Sequence, residues 1–289
     1  MIVGMKKSVK NALKLVTSNA QSKIGFSIVS VFLAVAIVEG IFGWSILPYN
    51  PLKAFTGPPF SPPSPAHLFG TEQLGRDLFS RMVAGTPVDA YVSFFVVAVA
   101  LLLGGFLGAV AGYSGGLADE VLMRTTDIFF TIPTLLIAIV IVFILGTGPV
   151  NVMIALAIIW WPPYARLSRA EALRLKNMNF VKSARLSNLS TFRILMRHIF
   201  RVSLTTLFIY ATLDIGTVIL TYSGLSYLGL SVRFPYPDWG VMVAQAEQFI
   251  FYDPSLALIP AFVILIVALG FILLGDGVKA KVQQERGMA

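Results

Sequence analysis

Six long apolar runs dominate this sequence, and they limit its possible folds more than any other feature. They cover approximately residues 24–47, 88–112, 128–146, 150–165, 202–222 and 255–275. At roughly 1.5 Å per residue, most of these runs can cross a hydrocarbon core of about 30 Å as α-helices. Charged residues make up only 12% of the chain, whereas a soluble protein has about a quarter. Because a chain in lipid must satisfy its backbone hydrogen bonds internally, we expect an all-α membrane protein with six transmembrane helices.

The Lys and Arg residues are distributed unevenly among the segments that connect the runs. Of the 22 in the chain, all but Lys53, Arg76, Arg81 and Arg233 lie in alternate segments: the N-terminal residues 1–23, the loops after the second and fourth runs, and the tail 279–289. This asymmetry is typical of the cytoplasmic side of a multi-pass membrane protein. We therefore expect both termini in the cytoplasm, with the first run retained as a span of the plasma or inner membrane.

The loop after the fourth run, residues 166–201, holds nine cations and a single acid, Glu171. Its middle part has the pattern of a short amphipathic helix, in which apolar residues interleave with cations. These residues are Phe180, Val181, Ala184 and Leu186, with Lys182 and Arg185. Asn188, a residue type that tolerates a left-handed backbone, then predicts a sharp turn, and Ser190 is suited to N-cap a second helix through Phe200.

Such a helix, turn and helix at the membrane surface could fit a groove of a cytoplasmic partner. Small side chains at Ser183 and Ala184 would let the backbone approach that partner closely. The alternative is that the nine cations only set the topology and bind anionic lipid.

Residues suited to catalysis or metal binding are scarce. The chain has no Cys and only two His, His67 and His198, which lie far apart in the sequence and which we expect to be solvated or interfacial. It has no Gly-x-x-x-x-Gly-Lys-Ser/Thr phosphate loop, and Ser223 lacks the preceding Gly of a nucleophile elbow. The Tyr-Ser-Gly-Gly segment at 113–116 is expected to end a helix. We therefore expect no enzyme activity, no metal site and no cofactor in this chain.

The loop at residues 48–87 is expected on the outer side of the membrane. Its Pro-rich stretch at 58–65 predicts an extended, rigid tether rather than a packed element. Residues 74–83 predict a short helix that lies along the interface, with one apolar side. That side comprises Leu74, Leu78, Phe79 and Met82.

The apolar runs include the acidic residues Glu39 and Asp214. An unpaired carboxylate in hydrocarbon costs about 2.5 kcal/mol or more, so each must pair, protonate or face a wet cavity. Asp214 lies near the middle of its run and is the better candidate to line a pore. Glu39 lies nearer the outer interface.

The order and spacing of several short motifs resemble the inner-membrane permeases of ATP-binding-cassette importers, in the dipeptide, oligopeptide and nickel group, and specifically its second permease subunit. The resemblance covers about residues 69–278. Its motifs are Gly70-Thr71-Glu72-Gln73-Leu74-Gly75-Arg76-Asp77 with Ser80-Arg81; Gly112-Tyr113-Ser114-Gly115-Gly116 with Asp119, Met123-Arg124 and Asp127; Lys182-Ser183-Ala184-Arg185-Leu186 with Arg197-His198-Ile199; Leu225-Ser226-Tyr227-Leu228-Gly229; Asp238-Trp239-Gly240; and Leu274-Gly275-Asp276-Gly277.

The resemblance implies the type I importer fold, with a five-helix permease core at 88–278. It also implies that a coupling helix fits a groove of an ATPase subunit. This role falls on Lys182, Ser183, Ala184, Arg185, Leu186 and Asn188. The outer motif contributes Gly70, Gly75, Arg76 and Asp77. Two positions depart from the family pattern: Asn188 replaces a Gly, and Arg201 replaces a Pro, which lets the second helix continue into the fifth span.

The implied partners are a second homologous permease, two ATP-binding-cassette ATPases that hold the ATP and Mg²⁺, an extracellular substrate-binding protein and membrane lipid, with no nucleic acid. The implied mechanism is alternating access, with peptide as the expected substrate and oligosaccharide or nickel as alternatives. A different class, a proton-coupled secondary transporter that uses Asp214 and Glu39 as a relay, stays open. A membrane hydrolase with Ser223 as nucleophile is the third hypothesis.

Overall fold

In the computed structural model, which describes residues 19–285, helices carry nearly all of the regular structure. Lys6, Lys7, Lys10, Lys14 and Arg286, which contribute to the predicted topology, lie outside the described residues. Within the described part of the chain, the only β-type pairing is an isolated antiparallel bridge between Thr71 and Asp77. The prediction of an all-α protein is confirmed.

Eleven α-helices follow one another along the described chain. They are α1 (Ala20–Phe42), α2 (Leu78–Ser114), α3 (Gly116–Thr131), α4 (Thr134–Leu145), α5 (Pro149–Ile159), α6 (Trp161–Leu175), α7 (Asn179–Leu186), α8 (Thr191–Ile194), α9 (Arg201–Tyr227), α10 (Trp239–Glu247) and α11 (Ser255–Glu285). A 3-10 turn (Gly43–Ile46) follows α1, and a π-helical turn (Leu195–Phe200) joins α8 to α9.

Five helical stretches of the described residues are long and apolar enough to cross a membrane, and a bent pair of helices makes a sixth. The five are Ala20–Ile46, Leu78–Ser114, Pro149–Leu175, Thr191–Tyr227 and Ser255–Gln284. The bent pair is α3 and α4, which meet at an angle of 92°. Ile132 at this break is extended, because the ring of the following Pro133 disfavours a helical backbone before it.

The fourth span extends beyond its predicted run of 150–165, since the helical stretch continues to Leu175. The helix is interrupted only at Trp160 and resumes at Trp161, with Pro162 and Pro163 in the first turn of α6. Proline is tolerated there because the N–H groups of a first turn have no helical partner. Trp160 and Trp161 are buried rather than exposed at an interface.

The predicted interfacial helix at residues 74–83 is also wrong. Gly75 has a φ of 65° and lies in a turn, and α2 begins at Leu78 and continues through Pro87 without a break. Asp77 precedes the first residue of α2, and its Oδ2 accepts a hydrogen bond of 2.7 Å from the backbone N–H of Ser80. This N-cap explains why the helix begins about ten residues before the apolar run.

The described residues divide into two compact units. The first comprises residues 19–94, 145–152 and 212–285, and the second comprises 95–144 and 153–211. In the first unit α1 packs along α11, and a Cβ placed on Gly25 would lie 2.6 Å from the carbonyl oxygen of Gly270. Helices approach this closely only where side chains are absent, which is a common way for membrane helices to pack.

In the second unit α2 packs along α6 through three glycines spaced four residues apart. Cβ atoms placed on Gly104, Gly108 and Gly112 would lie 2.1–2.5 Å from backbone carbonyl oxygens of α6. The hydroxyl of Ser168 on α6 also donates a 2.5 Å hydrogen bond to the carbonyl of Gly105. These contacts fix α6, and the segment that follows it, against α2.

Candidate functional site

The candidate coupling residues lie in the segment 176–190, between α6 and α8, in the second unit. The segment contains α7, a helix of eight residues with two distinct faces. Val181 and Ala184, three residues apart, are buried. They join one apolar cluster with residues of α2, α6, α8 and the π-helical turn. The other members are Ala109, Ala172, Leu175, Ile194, Leu195 and Ile199.

The opposite face of α7 is exposed and carries most of the predicted coupling residues. Exposed on it are Lys182, Ser183, Arg185 and Leu186. Leu186 is 89% exposed, an unusual position for a large apolar side chain. The expectation that Ala184 presents a small surface to a partner is wrong, since its methyl group packs inside the chain's own cluster. Of the two small residues, only Ser183 lies on the exposed face, which otherwise presents cations and the apolar side chain of Leu186.

The turn after α7 has the hydrogen bonds of a Schellman motif. The N–H of Asn188 donates to the carbonyl of Arg185 at 3.0 Å, and the N–H of Leu189 donates to the carbonyl of Ala184 at 3.3 Å. This motif requires a left-handed residue after the helix, and Asn188 has a φ of 56°. Leu189 packs against the apolar cluster. The predicted left-handed turn at Asn188 is confirmed.

Two side-chain contacts hold the segment against the C-terminal end of α2. Lys176 Nζ donates to the carbonyl of Gly112 at 3.1 Å, a favourable place for a cation at the negative end of a helix dipole. Arg185 Nε donates to Tyr113 Oη at 3.2 Å. The helix ends at Ser114, and Gly115 and Gly116 both have positive φ. The 113–116 segment thus ends a helix, as predicted.

Six of the nine cations of the loop 166–201 fall into two groups. On α6, Arg166, Arg169 and Arg174 form ion pairs with Asp127, Asp119 and Glu171. Beyond α6, Lys182, Arg193 and Arg197 are exposed. Among the described residues, none places a carboxylate within 4.0 Å of these three. The positive charge that can meet an external partner therefore concentrates around α7 and α8.

The second helix of the predicted pair continues into the fifth span without interruption. Residues 191–227 are helical throughout, with the π-helical turn at Leu195–Phe200. The absence of a proline at Arg201 is consistent with this continuity, as predicted. Ser190 occupies the N-cap position of α8, but its side chain makes no capping hydrogen bond. The capping prediction is thus correct in position and wrong in mechanism.

The outer motif at residues 70–77 forms a buried, cross-linked turn in the first unit. Gly70 and Gly75 have φ values of 78° and 65°, and added Cβ atoms would lie within 2.4 Å of backbone oxygens. The guanidinium of Arg76 forms a bidentate pair with the carboxylate of Glu72. Both side chains are buried. The motif therefore acts first as a structural element.

Two further predictions for this loop are wrong. His67 is buried rather than solvated, because its Nδ1 lies 2.8 Å from Asp77 Oδ1 and its ring stacks on Tyr49. The Pro-rich stretch is tied into the fold rather than free. The carbonyl of Pro58 accepts a 2.5 Å hydrogen bond from the hydroxyl of Thr71, and the N–H of Ser61 donates to the same hydroxyl at 2.9 Å.

The two acids that the sequence placed within the apolar runs are both buried, Glu39 on α1 and Asp214 on α9. Asp214 has a polar interaction within the protein, and its role in a pore stays a prediction. A third acid, Asp89, lies within the second run, is fully buried on α2, and was missed. Its position at the second residue of the run 88–112 is the signal that could have found it.

Comparison with known proteins identifies relatives along most of the chain. Residues 104–285 match the family model described as "binding-protein-dependent transport system inner membrane component". A dipeptide transport system permease protein of Alkalihalophilus pseudofirmus is 37% identical over 271 residues, which is 93% of this chain and 88% of the relative. A glutathione transport system permease protein of Pectobacterium atrosepticum is 37% identical over 250 residues, 86% of this chain and 83% of the relative. A probable D,D-dipeptide transport system permease protein of Escherichia coli K12 is 38% identical over 226 residues, 78% and 76% of the two chains.

Proposed function

Because this chain belongs to the binding-protein-dependent transport system inner membrane components, we propose that it moves peptides across the membrane by alternating access, driven through α7 by a separate ATPase. One observation carries this proposal: α7 has one face locked into the chain's own core and the other face exposed. A force applied to the exposed face is transmitted to α2, α6 and α8 because the inner face packs against residues of all three.

The composition of the exposed surface indicates what kind of partner it fits. Leu186 supplies an apolar side chain for a pocket, and Lys182 and Arg185 supply cations. Helices that present such residues bind in grooves of complementary shape and charge. The partner is therefore an ATPase subunit with a groove that has an apolar floor and an acidic rim. ATP and Mg²⁺ bind to that subunit, and this chain hydrolyses nothing.

The complete importer contains a second homologous permease, two ATPase subunits and an extracellular substrate-binding protein. The exposed cations around α7 and α8 favour a cytoplasmic location for this region, and the same charge asymmetry along the sequence supports a cytoplasmic location for both chain termini. Shifting a permease between inward-open and outward-open states from 1:99 to 99:1 requires about 5.5 kcal/mol of differential binding. ATP-driven closure of the two ATPases supplies this free energy through the docked helices.

Peptides are the substrates that the relatives support best, since their names specify dipeptides, D,D-dipeptides and glutathione. All three classes are short peptides or peptide-like molecules. Oligosaccharide and nickel, the other substrates of the group that the sequence resembles, have no counterpart among these relatives. Dipeptide uptake is therefore the first transport assay to perform.

The test replaces Leu186 with Asp in the complete importer, reconstituted in lipid vesicles. Leu186 contributes little to the packing of its own chain because it is almost fully exposed. The substitution should therefore leave insertion and thermal stability unchanged while it abolishes ATP-dependent dipeptide uptake and weakens co-purification of the ATPase. The matched control is Leu117→Asp, which changes another exposed leucine, at the start of α3, and should keep both activities.

Two results would contradict the proposal. Normal ATP-dependent uptake by the Leu186→Asp importer would show that α7 is not the site of coupling. Uptake of solute by the purified chain in vesicles, without any ATPase, would show that the protein is a secondary transporter. In that case the buried acids Glu39 and Asp214 would become the residues to test.

A further inference from the structure

Two carboxylic acids are fully buried close to each other in the first unit. Asp89 lies on α2, and Asp238 lies directly before α10. Both are 0% exposed, and the two side chains interact electrostatically. Nothing in the proposed transport mechanism uses either of them.

Asp238 is well supplied with hydrogen bonds. Its Oδ1 accepts from the hydroxyl of Ser226 and from the N–H of Val241, the latter at 3.2 Å. Its Oδ2 accepts from the hydroxyl of Tyr222 at 2.8 Å. Burial raises the pKa of Asp238, and these hydrogen bonds oppose that change. Hydrogen bonds to both oxygens favour the ionised form of a carboxyl group.

Asp89 is in the opposite situation. Neither of its carboxyl oxygens has a partner in normal hydrogen-bond geometry within 3.5 Å. The hydroxyl of Ser223 and the backbone N–H groups of Trp239 and of Asp89 itself face the carboxyl group outside that geometry. Ser223 is itself buried, and its hydroxyl also lacks a hydrogen-bond partner. A buried polar group without a partner is rare in native proteins and calls for an explanation. Here two such groups face each other.

The surroundings of Asp89 provide no compensating positive charge. The titratable groups that face it are Asp238 from the segment before α10, Tyr222 from α9, and Tyr91 from α2 itself. Among the described residues, no Lys, Arg or His nitrogen lies within 4.0 Å of a carboxyl oxygen of Asp89. Two ionised carboxylates cannot share such a site, because a buried charge needs a counter-charge or hydrogen bonds. Like charges at close range favour a single proton shared by the pair.

We propose that Asp89 and Asp238 form a proton-binding site that links α2, α9 and the start of α10, with the proton carried by Asp89. The protonated carboxyl of Asp89 gains an O–H group, and the hydroxyl of Ser223 is available to accept its hydrogen bond. Asp238 remains ionised and keeps its three hydrogen bonds. The proton thus satisfies both groups that are otherwise without partners.

This site makes the first unit sensitive to pH. Above the ordinary titration range of a carboxyl group, the folded protein holds one proton at Asp89 that the unfolded chain releases. Where the folded state binds more protons than the unfolded state, the free energy of unfolding falls as pH rises. Loss of the proton leaves two carboxylates side by side, which repel each other and weaken the joint of the three elements.

Thermal unfolding of the full-length chain in lipid nanodiscs, from about pH 5 to about pH 9, tests the proposal. The melting temperature of the wild type should fall with rising pH. Asp89→Asn replaces the neutral acid with a neutral amide of the same shape, so this variant should fold and should lose that pH-dependent fall. Glu120→Gln removes an exposed acid on α3 and, as the control, should retain it.

Infrared spectroscopy gives a second and more direct measurement. The wild type at neutral pH should show a carboxylic acid C=O band, one component of which is lost in Asp89→Asn and shifted, but still present, in Ser223→Ala. The same band in the wild type and in Asp89→Asn would overturn the proposal, as would a pH-dependent fall in melting temperature that Asp89→Asn retains. Should Asp89→Asn fail to fold, an unshifted band in Ser223→Ala would contradict the assignment.

A metal cation at the same site is tested by thermal unfolding at fixed pH with increasing sodium. A rise in melting temperature with sodium that is lost in Asp89→Asn would identify a bound cation instead of a proton and would overturn the proposal.

Discussion

The guanidinium of Arg185 lies over the ring of Tyr113, 4.9 Å from the ring centroid, while its Nε donates a hydrogen bond to the hydroxyl of the same residue. This contact joins α7 to the last turn of α2. It is the outermost of the contacts that hold α7, since Val181 and Ala184 are buried beneath it. The orientation of an exposed candidate coupling residue is therefore set by a residue 72 positions earlier in the chain.

Tyr113→Ala should loosen α7 without unfolding the protein. A cation–π contact at an exposed site contributes about 0.5–1 kcal/mol. The ring of Tyr113 packs against the apolar cluster but is not one of its buried members, so the buried side chains keep their contacts with one another. Limited trypsin digestion should therefore cut faster after Lys182 and Arg185, while the melting temperature changes little. Tyr113→Phe keeps the ring and should digest nearly as slowly as the wild type. Equal cleavage rates in all three proteins would show that the contact does not order the helix.

Asn188→Ala should destabilise the turn after α7, because the left-handed backbone costs a residue with a Cβ about 1–2 kcal/mol. Asn188→Gly removes this strain and should be at least as stable as the wild type. The difference can be read as a lower melting temperature for Ala than for Gly at this position. Ser187→Ala is the control, since Ser187 has a negative φ of −78°. Equal melting temperatures for the Ala and Gly variants would show that the left-handed backbone at position 188 does not destabilise a residue with a Cβ.

Arg76→Ala should be strongly destabilising, because it leaves the carboxylate of Glu72 buried without its bidentate partner. Breaking a buried ion pair in this way costs about 3–5 kcal/mol. Arg81 lies near the same carboxylate, with its Nε 3.8 Å from Glu72 Oε2, and compensates only in part. The double variant Glu72→Ala/Arg76→Ala should therefore lose less stability than the sum of the two single variants. A double-mutant cycle on the free energy of unfolding measures this coupling, and strict additivity would contradict it.

The sequence alone predicted the all-α class, the six spans and the left-handed turn at Asn188. These features depend on hydrophobicity over long windows and on the conformational limits of single residues, which are local properties. The positions of helix ends were less accurate, as at Trp160 and Leu78. Pro162 and Pro163 lie in the first turn of α6, a position that suits proline. Hydrophobicity alone did not show that the fourth span continues to Leu175.

The direction of side chains could not be obtained from the sequence. The pattern around Ala184 predicted a small surface offered to a partner, yet Ala184 faces inward because Val181 three residues earlier determines which face of α7 is buried. The solvated state expected for His67 failed for a similar reason, since its partner Asp77 is brought near only by the turn at Gly70 and Gly75. Asp89 was missed because a single acid at the edge of an apolar run resembles an interfacial residue.

The close approach of α2 to α6 gives the last prediction. A Cβ on Gly108 would lie 2.1 Å from the carbonyl oxygen of Ala165, so Gly108→Ala must separate the two helices. Overpacking of this kind typically costs about 1–3 kcal/mol, and it should lower the melting temperature and the amount of protein inserted in the membrane. Because α6 leads directly into the candidate coupling segment, this variant should also reduce ATP-dependent uptake per inserted molecule.

Gly224→Ala is the matched control for this substitution. Gly224 also lies inside a long helix, α9, but an added Cβ there meets no atom within 4 Å. Since alanine is favoured over glycine in a helix interior by about 0.5–1 kcal/mol, this variant should be as stable as the wild type or more stable. A similar loss of stability in both variants would show that glycine is needed in these helices for a reason other than the contact between α2 and α6.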